Sequence, residues 1–310
     1  MANQKLPNLI IAGVHKAGTT SVFTWLAQHP EICGSSKKEI GFFMPLHYGK
    51  HLPSIENYSR YFENCEDEKK YLLEASPSYL YGGQKIIEAI KFNLKDVKII
   101  LVFRNPTERL FSFYERKKAN TYLPSDITFK QFVEKSLAMQ NLHETSGEND
   151  DTLYIRAVKE GYYNFNLIEW INAFDNEHLH LCFFEDLKED SLSFMKSLSI
   201  WLEIDPAFYT SKNLEAENQT TTYDNRILHK IAIKINRTFE TFWRKNLELK
   251  RLIRKIYNRA NKGGNREKLS DDDRKYVDSI YYSHNEQLAN TLIQKGYTNL
   301  PSWLTCTKNN

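Results

Sequence analysis

Long hydrophobic runs are missing from this sequence: no stretch approaches the roughly 18 apolar residues that a membrane-crossing helix needs. Cysteine is scarce. Cys33, Cys65, Cys182 and Cys306 lie far apart, with no Cys-x-x-Cys and no Cys/His pairing at metal-ligand spacing. Internal repeats and low-complexity tracts are absent as well. Met1 to Pro7 is short and polar and runs straight into an apolar stretch, so no signal or transit peptide is expected. These gaps speak against a spanning segment and a structural zinc. They set the expectation of a cytoplasmic protein with reduced thiols, at most peripheral to a membrane. With 41% hydrophobic and 26% charged residues the chain is neither disordered nor fibrous, and 310 residues suffice for one large domain.

Net charge is nearly absent too, 42 Lys+Arg against 39 Asp+Glu giving +3, but the charges are unevenly spread. Between Asn225 and Lys268, 14 basic residues stand beside 3 acidic ones, a local +11 that leaves −8 for the remainder. Such a block suits a solvated helical face, or a surface that meets an anionic acceptor or an anionic membrane.

What is present is an alternation of short apolar runs and helical stretches. Leu9 to Val14 reads as a strand buried on both faces, with Tyr71 to Ala75, Lys98 to Phe103 and Leu179 to Phe184 as further strands. Helical patterns cover Ala17 to Gln28, Pro106 to Lys118 and Tyr163 to Phe174. Strands separated by helices predict parallel βαβ units and a three-layer α/β core. After about Asp205 the pattern becomes helical. Arg226 to Ala260 lacks Gly and Pro, and Ser270 followed by Asp271, Asp272 and Asp273 predicts the capped start of a helix that Gly296 closes. The expected organisation is one domain over 1–310, with an α/β core at 1–205 and a helical, basic part at 206–310.

The sharpest local feature lies between the first strand and the first helix: Gly13-Val14-His15-Lys16-Ala17-Gly18-Thr19-Thr20-Ser21. Glycines at a strand end let the backbone wrap an anion, and the following helix points its first N–H groups at the same spot. The string is nearly a Walker A loop, but Thr19 occupies the lysine slot and the lysine stands three residues earlier, at Lys16. A second constellation follows the third strand: Arg104-Asn105-Pro106, then Arg109 and Ser112. An arginine at the carboxyl end of a central strand sits at the ligand edge of a parallel sheet. Arg104 as a fork and Ser112 as a hydroxyl suit a second phosphate, although Arg104 equally suits a salt bridge to a nearby Glu.

Taken in order, the loop with its displaced lysine, Lys38-Glu39-Ile40-Gly41-Phe42-Phe43, Glu74-Ala75-Ser76-Pro77-Ser78-Tyr79, and Arg104-Asn105-Pro106 with Arg109 and Ser112 resemble one family. It is the sulfotransferases that use 3′-phosphoadenosine 5′-phosphosulfate (PAPS), especially the heparan-sulfate type and its bacterial relatives. Gly161-Tyr162-Tyr163 with Trp170, and Phe184-Glu185-Asp186-Leu187, continue the likeness, with a weaker echo in His284-Asn285 and Leu300-Pro301-Ser302-Trp303.

The resemblance implies a P-loop-like fold with a short central parallel sheet. It implies that Lys16 and the backbone of Ala17, Gly18, Thr19, Thr20 and Ser21 hold the 5′-phosphate, with Lys16 also bonding the oxygen between phosphorus and sulfur. Arg104 and Ser112 match the 3′-phosphate ligands, and Glu39 matches the catalytic base that takes a proton from the acceptor. No metal is implied. The acceptor class would be a hydroxyl or amine of a carbohydrate or glycolipid. One departure stands out: the heparan-sulfate 3-O type has a lysine where this chain has Ala75. No aromatic stripe forms a base-stacking platform, so nucleic acid is not an expected partner. Two other readings stay open at this point. One is a P-loop kinase or NTPase, in which Glu185-Asp186 imitates a Walker B end. The other is a non-catalytic protein that binds anionic glycans or membranes.

Overall fold

The computed structural model describes residues 4–142, 150–211, 214 and 267–305. Five strands form one sheet: β1 (Leu9–Gly13), β2 (Ile32–Gly34), β3 (Tyr71–Ala75), β4 (Lys98–Phe103) and β5 (Leu179–Phe183). Their order is β2-β3-β1-β4-β5, and each pairing is parallel. The three-layer α/β core read from the sequence is therefore present. The apolar run of β1 is buried along its whole length, as a central strand covered on both faces must be. Its register with β4 shifts between Ile11 and Gly13, where the strand begins to leave the sheet. Because the chain moves from β1 to one side of the sheet and returns to β4 on the other, the carboxyl ends of β1, β3 and β4 border the topological switch point. That is where open parallel sheets bind ligands.

Helices α1 (Thr19–Leu26), α2 (Met44–His47), α3 (Ile55–Ser59), α4 (Gln84–Asn93), α5 (Pro106–Ala119), α6 (Phe129–Met139), α7 (Asp150–Lys159), α8 (Tyr163–Ala173), α9 (Phe184–Glu189) and α10 (Ser191–Trp201) fill the layers around the sheet. The late helix runs Asp271–Gln294 (α11) and starts as expected, with Ser270 Oγ accepting the Asp273 N–H at 3.1 Å. It does not stand apart from the core. Leu288 and Leu292 join the apolar cluster under the sheet, while Val277 and Tyr281 join a second cluster with Phe111, Tyr114, Phe129 and Phe132. Each such fully buried side chain contributes about 1.5–3 kcal/mol. Gly161 lets α11 approach: a Cβ there would lie 2.5 Å from the Tyr281 ring. Among the described residues no helix is long and apolar enough to cross a membrane.

The expectation of reduced thiols is corrected. Cys33 on β2 and Cys65 in the segment before β3 form a disulfide, with Cα atoms 5.8 Å apart. Their distance in sequence conceals that the chain folds back beside the edge strand. Cys182 is a buried thiol. The stretch Arg226 to Ala260, and with it nearly all of the basic block, lies outside the described residues.

Candidate active site

The chain leaves β1 at Gly13 and turns into α1 through a loop that stays close to β4, where the Val14 N–H donates to the Val102 carbonyl at 2.9 Å. Lys16 has φ 69° and Gly18 has φ 78°, both left-handed. For a non-glycine residue that conformation costs about 1–2 kcal/mol, and at Lys16 it is held from outside: Arg104 Nη1 donates to the Lys16 carbonyl at 2.9 Å. Gly18 carries a second constraint. A Cβ there would lie 2.7 Å from Leu187 Cδ2 and 2.8 Å from Phe184 Cδ2, so the loop is seated directly on α9. Phe184 also lies under the Arg104 guanidinium, 4.6 Å from carbon to ring centroid. Gly18 is the N-cap of α1, so no capping side chain competes for the first-turn N–H groups. Ala17, Thr19 and Ser21 are buried, and Lys16 and Thr20 are half-buried.

Arg104 follows β4 directly, and its carbonyl accepts the Tyr163 hydroxyl at 2.8 Å. Its Nη2 reaches Glu108 at 3.5 Å, the nearby glutamate foreseen from sequence, but Glu108 is held more closely by Arg274, at 2.6 Å. Asn105 caps α5 by accepting the N–H groups of Thr107 and Glu108, and its own N–H donates to Glu185 Oε1 at 2.9 Å. Glu185, read as part of a Walker B imitation, thus anchors the turn that carries Arg104. Ser112 lies one turn beyond Glu108 on the same helix face and is buried.

Glu39 comes to the same sheet edge by another route. Its N–H donates to the Ala75 carbonyl at 2.8 Å, and Ala75 is in register with Ile11 of β1. Its side chain is 61% exposed and paired with Lys38 through Oε1 at 2.8 Å. Local desolvation works to raise its pKa. The Lys38 ammonium, its hydrogen bond, and the charges of His15 and Lys16 outweigh that and hold the carboxyl below its ordinary value. The candidate base and the anion loop therefore lie within electrostatic reach of each other.

Sequence reasoning missed the buried support of this loop. Glu160 is 4% exposed and gathers Arg156 at 2.7 Å, His15 Nδ1 at 3.1 Å and Arg109 at 3.4 Å. Burial pushes its pKa up, and the Arg156 charge, the His15 contact and the Arg109 charge more than reverse the shift, leaving it far below the carboxylate range. Arg109, read alongside Arg104, is fully buried in this network and belongs to the scaffold. The one sequence signal for Glu160 was its place directly before Gly161-Tyr162-Tyr163. Among the described residues no group of three or more His, Cys, Asp or Glu could hold a metal ion.

Comparison with known proteins bears on the family and the fold. A family model described as "Sulfotransferase domain" matches residues 6–291. Bifunctional heparan sulfate N-deacetylase/N-sulfotransferase 2 of Homo sapiens is 23% identical over 310 residues, covering 97% of this chain and 31% of that protein. Membrane-associated sulfotransferase kil1 of Dictyostelium discoideum is 33% identical over 134 residues, 41% of this chain and 27% of that protein. The chain thus spans less than a third of the length of these curated relatives. Among solved structures, a sulfotransferase from Alicyclobacillus acidocaldarius has a TM-score of 0.68 at 18% identity, covering 96% of this chain and 99% of that one, so the fold is shared.

Proposed function

The chain belongs to the sulfotransferase domain family, and from that premise we propose that it moves a sulfonyl group from PAPS to a hydroxyl or amine of a carbohydrate or glycolipid. The observation that carries this reading is the meeting of an anion cradle and a carboxylate at one sheet edge: Lys16 locked by Arg104, with Glu39 in electrostatic reach. The residues present suit such a cofactor. The N-cap of α1 has no side chain, the loop presents Lys16, and Arg104 with Ser112 supplies a second cationic and hydroxyl pair at the next strand end.

When bound, the phosphosulfate supplies an activated sulfonyl group whose leaving group is a phosphate. Lys16 and the N–H groups of Ala17 to Ser21 would hold the 5′-phosphate, where Lys16 would offset the negative charge of the leaving phosphate. Arg104 and Ser112 would bind the 3′-phosphate and so separate PAPS from ATP. Glu39, anionic at neutral pH, takes the proton of the attacking hydroxyl or amine. Lys38 occupies its Oε1, which leaves the second oxygen for that proton.

A carbohydrate acceptor is supported by the likeness to heparan sulfate N-deacetylase/N-sulfotransferases. The basic segment 225–268 would then meet an anionic acceptor or membrane surface. Neutralising Arg244, Lys245, Lys250, Arg251, Arg254 and Lys255 together should raise the acceptor KM or release the protein from anionic vesicles. Titration calorimetry tests the donor reading: adenosine 3′,5′-bisphosphate should bind without metal and more tightly than ATP with Mg²⁺. Tighter binding of ATP with Mg²⁺ would overturn it.

A further inference from the structure

Glu74 stands at the end of β3, completely buried, and among the described residues no salt bridge reaches it. Its hydrogen bonds come from three hydroxyls instead. Tyr58 donates to Oε2, Ser76 donates to Oε1, and Tyr79 lies 3.1 and 3.3 Å from the two oxygens. Burial drives its pKa upward, and the bonds from Ser76, Tyr58 and Tyr79 pull against that shift.

Each of these three residues has a second task. Ser76 Oγ accepts the Gly41 N–H at 2.9 Å, and the Tyr79 oxygen accepts the Phe43 N–H at 3.4 Å. The Tyr58 ring stacks on Phe42, centroids 4.3 Å apart with planes 2° from parallel. The three residues so gripped, Gly41, Phe42 and Phe43, follow closely on Glu39. Glu39 at φ 61° and Gly41 at φ 64° are both left-handed. A glutamate holds that conformation only where its surroundings over-determine it.

A carboxylate is suited to this task in a way an apolar group is not. When ionised it accepts and never donates, so Ser76 and Tyr79 then turn their O–H groups inward and their lone pairs outward to the loop N–H groups. Burying a carboxyl without a cation is costly, and packing alone would be served as well by an apolar side chain.

We propose that Glu74, through Ser76, Tyr79 and Tyr58, sets the geometry of the loop that carries Glu39, and so is a positioning residue for proton removal from the acceptor. The proposal rests on the sulfonyl-transfer reading above.

The test compares Ser76→Ala, Tyr79→Phe and Glu74→Gln with the unaltered chain, and repeats Ser76→Ala in a Glu39→Gln background. Displacing the base should lower kcat by about 10- to 100-fold, with affinity for adenosine 3′,5′-bisphosphate changed less than about twofold. Because Ser76 acts through Glu39, Ser76→Ala should change kcat little once Glu39 is already Gln. Amide hydrogen exchange over 39–43 should quicken in each variant. An equal loss in both backgrounds, or unchanged kcat and exchange in folded Ser76→Ala, overturns the proposal. Should Glu74→Gln fail to fold, Ser76→Ala and Tyr79→Phe decide it. If the unaltered chain transfers no sulfonyl group from PAPS, the functional reading fails, and exchange at Gly41 and Phe43 alone judges the anchoring.

Discussion

Arg104 Nη1 donates to the carbonyl oxygen of Lys16 at 2.9 Å. The cation that follows β4 thereby fixes the residue in the loop after β1 that is expected to touch the transferred group. Arg104→Lys keeps the charge but loses the planar fork that can bind Lys16 and a phosphate together. The expected result is about 10- to 100-fold weaker binding of adenosine 3′,5′-bisphosphate, the size of one charged hydrogen bond. Titration calorimetry reads it, and unchanged affinity would place Arg104 outside the phosphate site.

Gly18 meets two constraints at once, a left-handed φ of 78° and the contact with Leu187 and Phe184. Gly18→Ala should destabilise the fold by about 1–3 kcal/mol and also weaken nucleotide binding as the loop lifts off α9. Urea unfolding measures the first effect and calorimetry the second. Loss of stability with full affinity would mean that the cradle tolerates displacement.

The pH dependence has a defined sign. A base held below its ordinary pKa by Lys38 stays ionised until the solution is distinctly acidic, so kcat should be flat through neutral pH and fall only on the acid side. Lys38→Met removes the largest lowering influence and should move that acid limb to higher pH. Glu39→Gln should cut kcat about 100-fold or more at unchanged nucleotide affinity. If the limb stays put in Lys38→Met, it belongs to another group.

The Cys33–Cys65 bridge closes a loop with a sequence separation of 32 that contains Glu39, Phe42 and Tyr58. On loop entropy alone it should stabilise the fold by about 3–4 kcal/mol. Cys33→Ser with Cys65→Ser should lower the urea midpoint, and reductant should do the same to the unaltered chain only. Non-reducing peptide mapping of the chain from its own cells tells whether its compartment allows the bridge.

The central strands and the loop were legible because burial on both faces writes a continuous apolar run, as in β1 and β4, and because an anion turn needs glycine at fixed places. Ser270 with three following aspartates was legible because helix capping is local. β2 was not, since three residues at a sheet edge carry no period. The disulfide and the His15–Glu160 pair join residues 32 and 145 positions apart, and only the fold brings them together. Glu74 was visible as part of a motif, yet its task depends on which N–H groups Ser76 and Tyr79 reach, and no spacing reveals that.

Transfer of labelled sulfonyl from PAPS into fractionated cell extract and a panel of desulfated glycans tests the central claim most directly. The account expects label in a carbohydrate product without added metal, lost in Lys16→Ala and strongly reduced in Glu39→Gln. Label that remains on the nucleotide with every fraction, or transfer that survives in Lys16→Ala, would contradict it.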